Sequence, residues 1–416
     1  MKIFKFGGAS IKDAAGIRNV ARVLQKTGYD NILIVISAMG KMTNAFEKLM
    51  EAYFYKNENL PFLIDEVRAY HYKIITDLFE DKNHEMIKEI EVLFTELTGF
   101  MIQNRSKDYN YVYDQIVPVA ELISTKIVSF YLNEIGIVNT WIDVREYIRT
   151  NSDYRDAKVN WNETERAIKN NILPKKLYIA QGFMAKGDEG TTTTLGREGS
   201  DYSAGIFAYC LDAESLTIWK DVEGVLNADP RYFNETQLLQ QISYTEAIEL
   251  AFYGASVIHP KTLQPLQKKE IPLYVKSFIE PENKGTTVSR GMHILPETPC
   301  FIVKKDQILL SISSLDFSFI VERNISEIFE LLHQYKMKVN LIQNSAISFS
   351  VCMDDTYFNF EKLQDELKNK FKTEFHKGVS LYTIRHFDKN AVKKIENKHK
   401  VLLKQLTEET VQIVIQ

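Results

Sequence analysis

An early apolar segment constrains the fold of this chain more than any other feature. Residues 31–36, Asn-Ile-Leu-Ile-Val-Ile, form a strand pattern with no polar face. Such strands are typical of parallel sheets that are covered on both faces. A half-polar strand pattern at residues 2–6 precedes it, and residues 13–26 have helical spacing. This strand–helix–strand order predicts the start of an α/β sheet.

The same alternation continues along the first two thirds of the chain. A helix is predicted at 119–135, and strands are predicted near 137–142, 177–182 and 215–219, the later ones followed by glycine-rich loops. We therefore expect a doubly wound, mainly parallel sheet with its ligand site at the carboxyl ends of the strands. Residues 44–104 are rich in Glu, Lys, Leu and aromatic residues at helical spacing, and we interpret them as a helical insert.

The C-terminal third has a different pattern. A Pro-Glu-Asn-Lys-Gly-Thr-Thr stretch near 281–290 is typical of a domain exit, and strands and helices then alternate twice. We predict two small α+β modules there. The predicted boundaries are 1–295 for the first domain, 300–355 for the first module and 356–416 for the second.

Composition excludes several classes of protein. The net charge is −4, which gives no reason to expect nucleic acid or an anionic membrane as a partner. The cysteines Cys210, Cys300 and Cys352 have neither metal-ligand nor disulfide spacing, which suits a reducing cytoplasm. We expect no signal peptide and no apolar run long enough to span a bilayer.

The segment KFGGAS, residues 5–10, follows the first predicted strand directly. Gly7 and Gly8 carry no side chains, so backbone amides there can approach an anion, and Lys5 adds a positive charge. An ordinary glycine turn explains the same letters, because short glycine motifs are weak evidence.

A second polar segment, GTTTTLGREGSDYSA at residues 190–204, is predicted to be a loop that opens a helix near Asp201. Helix N-termini attract anions, and Arg197 offers a planar guanidinium for a carboxylate or phosphate. A capped helix with Ser200 as its N-cap is the simpler alternative. That alternative explains Ser200 but not the combination of Arg197 with Asp201.

Three further segments have chemical side chains next to turns or helix starts. They are WKDVEGVLNADPR at 219–231, YGASVIHPKT at 253–262 and VAELIS at 119–124. Asp221 follows a strand, and Glu121 begins a helix. His259 is held extended by the proline after it, and a single histidine of this kind is usually structural.

Taken together and in order, these segments resemble the aspartate kinase family within the amino acid kinase fold. That family has KFGGTS, SAxxGxTN, GExLS, TTLGRGGSD, a TDVxGxxxADPR-like turn and GAxVxHPxT. This chain has KFGGAS, SAMGKMTN, AELIS, TTLGREGSD, KDVEGVLNADPR and GASVIHPKT. The match covers most of residues 1–295 apart from the insert, and the C-terminal pair resembles the tandem ACT modules of that family.

The resemblance implies a kinase that transfers the γ-phosphoryl group of ATP to the side-chain carboxylate of aspartate, with Mg²⁺ on the phosphates. This reaction is the first step towards lysine, threonine and methionine. Implied catalytic residues are Lys5 and Asp201. The implied substrate-binding residues are Ser37, Thr43, Glu121, Arg197 and Ser200. The implied nucleotide-binding residues are Gly7, Gly8, Ser10, Lys220, Asp221 and Arg231, and no metal ligand from the protein is implied.

Some positions depart from the family pattern. Ala9 replaces Thr, and Ala120 replaces Gly beside Glu121. Glu198 replaces a Gly and places a negative charge near the site. Lys220 stands where Thr is commoner, and Ser256 stands where many members have a Lys that reaches the nucleotide; Lys220 or Lys261 are conjectural substitutes for that charge.

The ACT resemblance implies feedback control by an amino acid, most often lysine or threonine. The implied effector residues are Ser318, Asn324, Val339 and Asn340. Asn340 replaces a commonly acidic residue, and the modules could instead serve only to dimerise the chain. We expect at least a homodimer, because unpaired edge strands are a liability.

Two other functions stay open. A kinase for another small acid such as glutamate would use the same groups, and a non-catalytic amino acid sensor would use only the ACT pair. The sequence has no dinucleotide fingerprint after the ACT region, so we expect a monofunctional kinase and not one fused to homoserine dehydrogenase.

Overall fold

The computed structural model describes residues 1–416 except 82, 256, 257, 292 and 317. The chain divides into two compact units. The first unit comprises residues 1–225, 238–248 and 257–294, and the second comprises 226–237, 249–256 and 295–416.

The helices and strands are numbered along the chain. The helices are α1 (Ala14–Thr27), α2 (Met42–Phe54), α3 (Leu60–Phe79), α4 (Met86–Gln103), α5 (Tyr109–Ile116), α6 (Val119–Glu134), α7 (Trp161–Asn171), α8 (Gly199–Cys210), α9 (Tyr244–Tyr253), α10 (Pro260–Lys269), α11 (Glu322–Gln334), α12 (Phe360–Leu367) and α13 (Lys389–Glu396). The strands are β1 (Lys2–Phe6), β2 (Ile32–Ile36), β3 (Thr140–Ile142), β4 (Arg149–Thr150), β5 (Leu177–Gln181), β6 (Met184–Gly187), β7 (Thr192–Thr194), β8 (Ser215–Lys220), β9 (Val225–Leu226), β10 (Leu238–Leu239), β11 (Gln241–Ser243), β12 (Leu273–Ser277), β13 (Thr286–Ser289), β14 (Cys300–Ser314), β15 (Lys338–Asn344), β16 (Ser348–Asp354), β17 (Phe371–Arg385), β18 (Val401–Leu406) and β19 (Thr410–Ile415).

An eight-stranded sheet forms the centre of the first unit, in the order β11-β13-β12-β8-β1-β2-β5-β3. Among the described residues, β12 and β13 form the only antiparallel pair of this sheet, and the strands around β1 are parallel. Every residue of β2 is buried, as expected of a strand covered on both faces. The predicted mainly parallel α/β sheet is confirmed.

The segment after β2 is helical, as predicted, although its helices extend beyond residues 44–104. α2 begins at Met42, and α5 adds a short helix as far as Ile116. The stretch Tyr109–Glu134 is long and apolar enough for a membrane span, which we had not expected. However, 78% of its most apolar window is buried inside the protein, as in the core helix of a soluble protein.

The threonine-rich segment differs from its prediction as a loop. Thr192–Thr194 form β7, which pairs antiparallel with β6. The hydroxyls of Thr193 and Thr194 bond to Thr150 and Asp114, so these two side chains are used inside the protein.

The second unit is built on a six-stranded antiparallel sheet in the order β15-β16-β14-β17-β19-β18. β14 and β17 are 15 residues long and pair with each other across the whole sheet. Together with the helices on this sheet, they form the two predicted α+β modules of ACT type.

Two of the three apolar clusters among the described residues of this sheet also include helix residues. One contains Ile308, Phe349 and Phe360, so α12 packs beside the strands of the first module. The other contains Ile384 and Ile413, with Phe301 from the start of β14 packed against it. The module boundary at 355/356 stays a prediction, but the packing groups α12 with the first cluster and the start of β14 with the second. The clusters cross the predicted boundary because β14 and β17 are long enough to contribute residues to both clusters.

Candidate active site

A cavity of about 420 Å³ lies in the first unit, beside the carboxyl end of β1. β2 and β8 flank β1 in parallel, with Lys5 opposite Val35 and Ile218. The cavity has seven of the predicted residues in its lining: Lys5, Ser37, Thr43, Glu121, Arg197, Ser200 and Asp201. The sheet thus gathers residues from distant parts of the sequence at one edge, as expected for a parallel α/β fold.

A buried ion pair lies in this cavity. The Lys5 ammonium is 2.7 Å from the Asp201 carboxylate, and both side chains are almost fully buried. α8 packs against β1, which places Asp201 in its first turn opposite Lys5. Because the low dielectric strengthens this attraction, the pair fixes Lys5 in position.

The glycines after β1 allow a close approach of two backbone segments. A Cβ on Gly8 would lie 2.6 Å from the carbonyl oxygen of Ala38 and 2.7 Å from that of Gly40. A Cβ on Gly7 would be 3.4 Å from the Lys5 Nζ atom, so Gly7 lies beside the ammonium. Ser10 is buried at 1% exposure in the 3-10 turn that follows.

Glu121 is a buried carboxyl group in the first turn of α6. Ser200 Oγ donates to its Oε1 atom at 3.0 Å, and burial raises the pKa of Glu121 to about 8. Its Oε2 atom is buried without a hydrogen-bond partner among the described residues. A carboxyl oxygen in this state suits a cationic group, because a partner would stabilise its ionised form.

The simpler alternative, in which Ser200 is only the N-cap of the helix, is wrong. α8 begins at Gly199 after Glu198, whose φ of 53° lies in the left-handed region. Ser200 therefore lies inside the first turn, and its hydroxyl bonds to Glu121 and not to the helix backbone.

The remaining lining residues offer groups for an amino acid. Arg197 is exposed at the cavity, and within the described residues it has no ion-pair partner. Ser37 follows β2, and its backbone carbonyl accepts from Ser124 Oγ at 2.7 Å. Thr43 lies in the first turn of α2.

Three of the predicted nucleotide residues, Lys220, Asp221 and Arg231, are divided between the two units. Lys220 ends β8, and Asp221 follows it exposed to solvent. Arg231 belongs to the second unit, where it pairs with Asp229 at 2.6 Å. The roles of these three residues stay predictions.

The contacts of Glu198, which departs from the family pattern, differ from those of Lys261 and His259. Glu198 lines the cavity, and its Oε2 atom is buried without a described hydrogen-bond partner. Lys261 pairs with Asp156, so its charge is already engaged. His259 caps α10 through its ring nitrogen, and burial lowers its pKa, which supports its structural reading. Ser256 lies outside the described residues.

Several cavity residues escaped the sequence analysis. They are Glu47, Tyr113, Arg155, Phe183 and Thr194. Glu47 and Tyr113 come from helices α2 and α5, and the Tyr113 hydroxyl donates to Glu47 at 2.6 Å. No local motif marks Glu47, Tyr113, Arg155 or Phe183, because their proximity depends on how the elements pack around the sheet, whereas Thr194 lies within the TTLGREGSD segment.

The predicted effector residues lie in the second unit. Asn324 Oδ1 accepts from the backbone of Val321 at the start of α11, and Ser318 is exposed before it.

Asn340 accepts from Lys304 at 2.7 Å and donates to Gln307 and Asp354 at 2.7 and 2.9 Å. It follows the half-exposed Val339 at an irregularity of β15. Asn340 is therefore part of a side-chain network, and any effector role for it remains a prediction.

Comparisons with known proteins agree with this geometry. Residues 1–277 match the amino acid kinase family. The lysine-sensitive aspartokinase 3 of Escherichia coli is 31% identical over 85% of this chain and 78% of its own length. The bifunctional aspartokinase/homoserine dehydrogenase of Buchnera aphidicola is 30% identical over 92% of this chain, which spans 49% of that protein. The chain therefore belongs to the amino acid kinase family and, within it, to the aspartokinases.

Solved structures show the same relationship. Aspartokinase III of E. coli in complex with lysine and aspartate (T-state) has a TM-score of 0.83 and 27% identity, over all of this chain and 95% of that one. The same enzyme with aspartate and ADP (R-state) has a TM-score of 0.82 and 26% identity, over 100% of this chain and 96% of that one. The predicted family and fold are confirmed over the whole chain.

Proposed function

We propose that this protein is an aspartate kinase, which transfers the γ-phosphoryl group of ATP to the side-chain carboxylate of L-aspartate. One observation carries the proposal: a single cavity holds the Lys5–Asp201 pair, the unpartnered Glu121 oxygen and the unpaired Arg197. An amino acid with a second carboxylate offers a complementary group to each of them.

The two α-groups of aspartate would bind away from the reacting end. Arg197 would hold the α-carboxylate, because a guanidinium can donate two parallel hydrogen bonds to it. Glu121 Oε2 would accept from the α-ammonium. Ser37, Thr43 and Ser200 would supply the remaining polar contacts of the pocket.

The reaction would need little acid–base chemistry. The side-chain carboxylate of aspartate is already ionised at neutral pH. One of its oxygens would form a bond to the γ-phosphorus as the bond to the bridging oxygen breaks, giving an acyl phosphate and ADP. Lys5 would stabilise the negative charge spread over the transferring group, and Asp201 would keep Lys5 oriented.

The nucleotide would bind at the carboxyl end of β1. The backbone amides of Gly7 and Gly8, which carry no side chains, would suit phosphate oxygens, and Ser10 follows in the same turn. Mg²⁺ would arrive with ATP and neutralise phosphate charge. Lys220, Asp221 and Arg231 remain proposed nucleotide contacts.

The second unit would regulate the first. The E. coli relative is described as lysine-sensitive and was solved with lysine bound, which supports an amino acid effector such as lysine or threonine here. We also propose a homodimer or larger assembly through the ACT modules, and a cytoplasmic location.

ADP release with Mg-ATP tests the proposal. We expect turnover with L-aspartate, little with L-glutamate or without acceptor, and loss of turnover in Lys5→Ala. Effector binding without aspartate-dependent turnover would favour the amino acid sensor, and preference for glutamate would favour the other small-acid kinase.

A further inference from the structure

A second guanidinium, that of Arg155, lines the same cavity and has no role in the proposed mechanism. It lies over the ring of Tyr113, 4.3 Å from the centroid, and 5.7 Å from that of Tyr109. Among the described residues, no carboxylate forms an ion pair with it. The Arg155 guanidinium therefore lies over aromatic rings but has no anionic partner among the described residues.

A buried carboxylate from the helical insert fixes the backbone of Arg155. Asp114 of α5 accepts from the Arg155 amide at 3.0 Å, and also from the amide and hydroxyl of Thr194 at 2.8 and 2.7 Å. The amide of Ala157 donates to the Thr194 carbonyl at 3.0 Å. These bonds join the Arg155 segment to β7, the strand directly before the Gly196–Arg197 loop.

The two arginine segments are in direct contact. A Cβ on Gly196 would lie 3.1 Å from the carbonyl oxygen of Arg155, so the backbone of Arg155 packs against the residue before Arg197. Arg155 has a φ of 71°, in the left-handed region that disfavours residues with a Cβ. The side chain is thus placed at the cavity by a backbone conformation that its neighbours enforce.

The charges in the cavity indicate what Arg155 would bind. Glu47 accepts from Tyr113, and Asp201 is paired with Lys5. Glu121 accepts from Ser200. Glu121 and Glu198 of the wall each keep one buried oxygen without a hydrogen-bond partner among the described residues, and no described carboxylate forms an ion pair with Arg155 or Arg197. An anionic group of the ligand is therefore the complement that the two guanidiniums lack.

We propose that Arg155 binds the α-carboxylate of the substrate together with Arg197. This inference rests on the proposed function. Two reasons assign Arg155 to the α-carboxylate and not to the reacting side-chain carboxylate. Arg155 adjoins the Arg197 segment, and a guanidinium bound to the nucleophilic carboxylate would withdraw negative charge from it. Arg155 is then a substrate-specificity residue that the helical insert positions through Asp114 and Tyr113.

The test measures aspartate binding by calorimetry and turnover by ADP release, in wild type and in Arg155→Met. We expect the Kd and KM for aspartate to rise about 10- to 100-fold, as for loss of a charge-assisted contact. We expect kcat and the KM for ATP to change less than about 2-fold, since Arg155 does not touch the reacting groups. Arg155→Lys should recover part of the affinity, because it keeps the charge but not the planar fork.

Control variants separate binding from structure. Arg105→Met removes an exposed guanidinium just after α4 whose described hydrogen bonds go to backbone carbonyls, and it should change nothing. Arg155→Gly suits the left-handed backbone and should repeat the Arg155→Met result. Tyr113→Leu should weaken aspartate binding, whereas Tyr113→Phe keeps the ring and should weaken it less.

The α-amide of aspartate identifies the carboxylate that is bound. Wild type should bind this amide more weakly than aspartate. In Arg155→Met, the ratio of the two Kd values should fall by the same factor by which the Kd for aspartate rises. An unchanged Kd for aspartate in Arg155→Met would overturn the inference, as would a loss confined to kcat. Wild type that binds aspartate but does not phosphorylate it would overturn the kinase proposal and leave the Kd comparison valid as a test of Arg155.

Discussion

The buried Lys5–Asp201 pair connects stability with catalysis at the scale of single residues. Lys5→Ala should lower activity by at least about 100-fold, because it removes a charge from the transferring group. It should also lower the free energy of unfolding by about 3–5 kcal/mol, because it leaves Asp201 buried without its partner.

Adding Asp201→Asn to that variant separates the two effects. The double variant should regain much of the stability in urea unfolding but none of the activity in ADP release. Recovery of activity together with stability would show that Lys5 acts only through folding.

Glu121 should make both stability and aspartate affinity depend on pH. Burial raises its pKa from an ordinary 4.5 to about 8. Between these two pH values, Glu121 is protonated in the folded protein and ionised in the unfolded chain. Stability from this group is complete below pH 4.5 and is lost as the pH rises through about 8. Urea unfolding of Glu121→Gln should lack this loss.

The α-ammonium of aspartate needs the ionised form of Glu121. The KM for aspartate should therefore fall as the pH rises from about 6.5 to about 8, and Glu121→Gln should flatten that profile. A KM that rises over this range in wild type would contradict the assigned role.

Residues with a motif were predictable from the sequence, whereas residues without one were not. Lys5, Arg197 and Asp201 lie in segments whose glycine and hydroxyl patterns indicate an anion site. Arg155 and Asp114 have ordinary neighbours in the sequence. Their importance comes from hydrogen bonds across 41 and 80 positions of the chain, which no local pattern encodes.

At the scale of elements, the turn after β1 requires a residue without a side chain. Gly8→Ala would place a Cβ 2.6 Å from the Ala38 carbonyl oxygen, and backbone on both sides prevents an easy shift. We expect this variant to lose most of its ATP binding and to be less stable.

Gly99 provides the matched control for that substitution. It lies inside α4, and a Cβ there would meet nothing within 4 Å. Gly99→Ala should stabilise the protein by up to about 1 kcal/mol, since alanine is the better helix former. Thermal unfolding and ATP titration of both variants test the pair; a Gly8→Ala variant that binds ATP normally would remove Gly8 from the proposed cradle.

Regular periodicity decided which elements could be predicted. β1 and β2 lie close to their predicted bounds, because alternation in the first and a continuous apolar run in the second are clear in the sequence. β7 was missed because a run of threonines is typical of a polar loop as much as of a strand. The lengths of β14 and β17 were missed because each carries the pattern of two shorter strands joined end to end.

At the scale of the whole molecule, we predict at least a homodimer. The sheet of the second unit ends in β15 and β18, whose outer edges have no strand partner among the described residues. Such edges favour pairing with another chain. Sedimentation at micromolar concentration should give a dimer or larger species, and a clean monomer would refute the prediction.

An aspartate kinase is defined by the bond it makes, between the side-chain carboxylate of aspartate and the γ-phosphorus. The most direct measurement traps the product with hydroxylamine, which converts an acyl phosphate to a hydroxamate, and compares it with the ADP released. We predict β-aspartyl hydroxamate in about equal amounts to ADP with wild type, and neither product with Lys5→Ala. ADP without hydroxamate would mean that the aspartate carboxylate is not the acceptor and would contradict the account.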